Sequence, residues 1–71
     1  MDRTVLLRRL VEAERHLAAY EQVVARQRHV IDTIARGGHD TTEASALLLE
    51  FLGLHATHLA HLDRLRAELM T

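Results

Sequence analysis

The chain has no cysteine, no proline, no tryptophan and no lysine, and only three glycines and two aromatic residues, Tyr20 and Phe51. Without cysteine, neither a disulfide framework nor a thiolate metal site can form. Without proline, and with glycine confined to positions 37, 38 and 53, little interrupts the long segments on either side of Gly37-Gly38. With so few aromatic rings the core has to be aliphatic, built from Leu, Val and Ala. No apolar run approaches the roughly 20 residues of a membrane span. Met1 to Arg9 also lacks the apolar stretch of a secretory leader. A cytoplasmic protein with no membrane partner is the expectation.

Arginine carries all nine basic charges against ten acidic residues, for a formal net charge of −1. A GC-rich genome accounts for arginine in place of lysine, and a balance so near neutrality argues against nucleic acid as a partner. Histidine is in excess: six rings, whose full protonation would take the formal charge to +5. Seventy-one residues make one domain at most, near the size at which a single core barely suffices without staples or self-association.

The spacing of apolar residues predicts an all-α protein, a two-helix antiparallel hairpin with helix one at about 3–36, a turn at 37–40 and helix two at about 41–69. In helix one, Leu6, Leu10, Ala13, Leu17, Tyr20, Val24, Gln27, Ile31 and Ile34 recur at three- and four-residue steps, which a helix can bury on one seam and a strand cannot. Arg8, Arg15, Gln22, His29 and Arg36 fall on the opposite, wet face. Arg36 before Gly37 suits a helix C-terminus, with Gly37 expected in the left-handed conformation. Asp40 is expected to cap helix two, with Glu43 three residues on completing a capping box.

Helix two carries a main face of Ala44, Leu47, Leu48, Phe51, Leu52, His55, His58, Leu59, Leu62, Leu65 and Leu69. Between Ala44 and Leu62 its only permanent charge is Glu50. A second row, Ala46, Leu49, Gly53, Ala56, Ala60 and Ala67, holds small residues that let another helix approach closely. Gly53 costs about 1 kcal/mol against alanine in a helix interior. Leu49, Gly53, Ala56, Leu59 and Ala60 are therefore the expected subunit interface. Two helices touch along one line only and leave such wide stripes half wet, so the hairpin is expected to form a homodimer, an antiparallel four-helix bundle.

His55, His58 and His61 follow one another at three-residue steps, so neighbouring rings share a helix face. Folding at 37–40 brings Tyr20 opposite His58, Val24 opposite His55, and His16 near His61 with Glu12 one turn away. His58, His61, His16 and Glu12 are then candidate ligands for zinc, nickel or copper. The structural alternative is favoured: a buried polar layer of Tyr20, Gln27, His55 and His58, with Tyr20 and Gln27 bonding the two imidazoles and fixing register. No nucleophile with a base, phosphate-binding glycine loop or apolar-face carboxylate pair points to catalysis, and no catalytic residue or cofactor is expected.

Gly38-His39-Asp40-Thr41, followed by Glu43-Ala44 and Leu47-Leu48, with Ala25-Arg26-Gln27-Arg28 upstream and His58-x-x-His61-x-Asp63-Arg64-Leu65 downstream, resembles a group of small helical-hairpin proteins of GC-rich proteobacteria, a group with no established function. The resemblance spans nearly the whole chain and implies a natural, stand-alone hairpin. The resulting expectation is a non-catalytic homodimer acting as a small interaction or regulatory protein. The alternative is a metal-binding bundle. A third reading inserts the hairpin into a larger protein through an apolar face, as a toxin antagonist or adaptor would.

Overall fold

The first helix begins at Asp2, whose carboxylate accepts a hydrogen bond from the Thr4 amide at 3.0 Å and so satisfies one of the free N–H groups of the first turn. In the computed structural model, which describes residues 2–71, α1 runs Arg3–Arg36 and α2 Thr42–Met70, with no strand among the described residues. The α1 C-terminus closes by two reversed bonds: the Gly38 amide donates to the Ala35 carbonyl at 3.0 Å and the His39 amide to Ile34 at 3.2 Å. That pairing requires left-handed backbone at the residue after the cap. It falls on Gly38 (φ 75°), while Gly37 stays right-handed at φ −76°. The expectation for Gly37 is thus off by one, because its amide still holds the helical bond to Thr33 at 3.2 Å. The reversal has to wait one residue.

The start of α2 also differs from the sequence expectation. Thr41 is the N-cap, since its carbonyl accepts the first helical bond, from Ser45 N–H at 2.8 Å. Asp40 lies one residue earlier, where its Oδ1 accepts from the Thr42 hydroxyl at 2.6 Å and the Thr42 amide at 3.0 Å. A capping box links the N-cap to the third helical residue. With Thr41 at the cap that residue is Ala44, which has no side-chain acceptor, so Glu43 closes no box.

The bond from the Thr42 hydroxyl, followed by that from the Thr42 amide, holds the Asp40 carboxyl below its ordinary value of 3.8. A depressed folded value means that ionised Asp40 stabilises the fold above the unfolded value, and that this contribution disappears as pH falls through the folded one. The urea midpoints of wild type and Asp40→Ala should therefore differ at neutral pH and draw together in acid, as pH falls below the ordinary carboxylate value and through the depressed folded one.

Both helices repeat by sevens. In α1, 6, 13, 20, 27 and 34 alternate with 10, 17, 24 and 31; in α2, 44, 51, 58 and 65 alternate with 48, 55, 62 and 69. A strict seven-residue repeat keeps one seam facing a partner helix through a left-handed supercoil. Each of these positions is buried or half-buried, and the wet-face residues Arg8, Arg15, Gln22, His29 and Arg36 are exposed. The helices pack antiparallel into a rod of 54 × 14 × 13 Å. Its tight core lies toward the open end, where Leu6, Ala13, Leu17, Leu62 and Leu65 are buried and Leu10 and Leu69 pack against them. Leu47 and Leu59, assigned by sequence to the main face of α2, are 40% and 39% exposed. They flank the seam rather than fill it.

Candidate functional site

A pair of helices has two flanks beside its seam, and these two are chemically unlike. One is charged. There Glu14 lies 3.9 Å from Arg66 and Glu21 3.6 Å from His55, and Glu21 and Arg28 share a shallow pocket with Val24, Leu52 and His55. The Glu14–Arg66 pair is half exposed, so it adds little to stability. The opposite flank holds His16, Val23 and Val30 from α1, spaced by seven, facing Leu47, Leu54 and His61 from α2 at the same spacing. It carries no formal charge over that length. Val23, Val30, Leu47 and Leu54 are each exposed by about two-fifths.

The rod's mid-length holds an aromatic cluster on this uncharged flank. The Tyr20 and His58 rings stack with centroids 4.6 Å apart and planes 30° apart, and His16 meets His58 edge-on at 6.1 Å and 82°. Together with Ala19 and Val23 they line an open cleft of about 380 Å³. Tyr20 and His58 are half-buried and His16 is exposed.

Tyr20 does lie opposite His58, and Val24 beside His55. Other sequence-assigned residues do not meet as expected. Tyr20 touches His58 through its ring face rather than bonding to the imidazole. Gln27 is the buried polar residue of the seam, and its Nε2 donates to the Ala44 carbonyl at 2.8 Å. It cannot serve His55, which lies eleven residues beyond Ala44, about 16 Å farther along the helix. His55 turns to Glu21 instead. The layer expected from Tyr20, Gln27, His55 and His58 is thus three separate contacts at three levels.

The four candidate metal ligands are also dispersed. His16 pairs with His58, whereas Glu12 and His61 are exposed. Among the described residues no three His, Asp or Glu side chains are grouped so as to hold a metal ion. His58, His61, His16 and Glu12 therefore make no ligand set within one chain: His16 meets His58, and no third ligand is grouped with that pair.

Leu49, Gly53, Ala56, Leu59 and Ala60 are all exposed, Leu49 most of all at 69%. A Cβ added at Gly53 would meet nothing within 4 Å, so packing within the chain does not explain that glycine. The uncharged flank was the feature missed by reading main faces alone. Counting by sevens finds the rows 16, 23, 30 and 47, 54, 61 beside the two seams, and the crossing of the helices brings the two rows to one flank.

Among the described residues no helix is long and apolar enough to cross a membrane. No protein-family model, curated protein or solved structure matches the chain.

Proposed function

We propose that this chain is a non-catalytic, homodimeric helical protein that works through protein contacts, with the four-helix bundle as its working form. The observation that carries this reading is surface. The single chain exposes 5391 Å², whereas a compact monomer of its 8.1 kDa mass exposes about 4,500 Å². The excess of roughly 900 Å² resembles what one partner buries in a standard interface, about 800 Å². Its radius of gyration, 16.3 Å, likewise exceeds the roughly 11 Å of a compact domain of this length. Apolar side chains contribute to it, with Val23, Val30, Leu47 and Leu54 each exposed by about two-fifths.

A partner that covers this surface accounts for residues that a free hairpin would leave in water. The near-zero net charge favours self-association over an oppositely charged partner. Sedimentation equilibrium and native mass spectrometry on untagged protein test the reading. A dimer at micromolar concentration is the expected result, and a folded, helical monomer under those conditions overturns it.

A further inference from the structure

We propose that the second copy docks on the uncharged flank, not on the outer small-residue strip of α2, with the two turns at the same end of the bundle; the inference rests on the homodimer reading above. In a four-helix bundle each helix has two neighbours, so its apolar face must extend from the seam to one flank and leave the other wet. Between residues 16–30 of α1 and 47–61 of α2 only one flank is free of formal charge, with Arg9 and Glu68 following at its open end. Val23, Val30, Leu47 and Leu54 extend the seam on that side, while Glu14, Glu21, Arg28 and Arg66 occupy the other. The strip Ala46, Gly53, Ala60 and Ala67 lies almost opposite the seam of α2, so docking there would leave the apolar flank in water.

The direction of docking follows from register. The Glu14–Arg66, Tyr20–His58 and Glu21–His55 contacts fix the register; by it Arg9 and Glu68, His16 and His61, Val23 and Leu54, and Val30 and Leu47 fall at matching levels of the hairpin. A two-fold axis parallel to the helices keeps every level, setting α1 of one copy against α2 of the other. Val23 then meets the partner's Leu54, Val30 the partner's Leu47, and Arg9 the opposite charge of the partner's Glu68. With the axis perpendicular to the helices and the rods fully overlapped, Val23 would face the level of the partner's His16 and Val30 that of the partner's Arg9. Apolar and charge complementarity both favour the parallel axis. It also places His16 against the partner's His61, so the mid-length imidazoles become part of the interface.

Three variants and a distance test this. Val23→Lys and Leu54→Glu should each weaken dimerisation at least tenfold, because each sets a charge against an apolar side chain. An equimolar mixture of the two should recover a heterodimer, Lys facing Glu across the new contact. Ala60→Arg, on the outer strip, should leave the dimer intact. Dissociation by Ala60→Arg with Val23→Lys still dimeric overturns the proposal. A wild-type monomer overturns both it and the reading beneath it.

Should the flank variants fail to fold, a spin label at His39→Cys in the otherwise unaltered chain decides. Turns at the same end give a label separation of roughly 20–30 Å, for helices spaced 8–10 Å apart. Turns at opposite ends would separate the labels by about the 54 Å length of the rod, and that result overturns the proposal.

Discussion

Leu62→Ala is expected to cost about 2–5 kcal/mol, the range for truncating a buried leucine when its surroundings collapse only in part. At 1% exposure Leu62 is, among the described residues, the one large side chain wholly removed from water. A chain of 71 residues commands only roughly 4–11 kcal/mol in total, at about 0.05–0.15 kcal/mol per residue. One deletion therefore removes a large share of the stability. Urea denaturation followed by circular dichroism, at one fixed protein concentration because dimerisation shifts the midpoint, should show the variant partly or wholly unfolded in dilute buffer. A loss below about 1 kcal/mol would mean that the seam is not packed as described.

Ala13→Leu should destabilise by about 1–3 kcal/mol for the opposite reason. Ala13 is 3% exposed and belongs to the same buried cluster as Leu62, so three further heavy atoms there have to displace a packed neighbour. Added bulk forces off-rotamer side chains or separates the helices. Combining Ala13→Leu with Leu62→Ala moves the leucine from one helix to the other and nearly conserves volume. The double variant should therefore lose less than the two single losses added, with a coupling of about 0.5–3 kcal/mol, as for residues in contact. Strict additivity would place the two residues in separate parts of the core.

The seam of α1 could be read directly from spacing. Leu6 through Ile34 recur at the helical period, and all nine are buried or half-buried. Such a pattern survives because burial in a helix depends on angle about the axis, and angle is set by residue number alone. The ends were less legible. Whether Gly37 or Gly38 turns left-handed, and whether Asp40 or Thr41 caps α2, depends on which amide makes the last or first ladder bond. Neighbouring residues suited to the same role, two glycines at one end and Asp and Thr at the other, compete for it at similar energy.

The candidate site was legible as a set of residue types and misread as a set of contacts. Tyr20, His16 and His58 do share one level. Gln27, however, serves the Ala44 carbonyl rather than His55, and Glu12 and His61 stay in solvent. A hydrogen bond or a ligand set demands register to within a few ångströms, and a slip of one turn in the hairpin moves every cross-helix partner by about 5 Å. Sequence alone determined that two amphipathic helices form, that each has a wet back, and that together they carry more apolar surface than one seam can bury. Only the tertiary structure decided that Glu14, Glu21, Arg28 and Arg66 gather on one flank and His16, Val23, Leu47 and Leu54 on the other. Flank identity arises from the antiparallel crossing of two helices, a relation that the periodicity of either one does not contain.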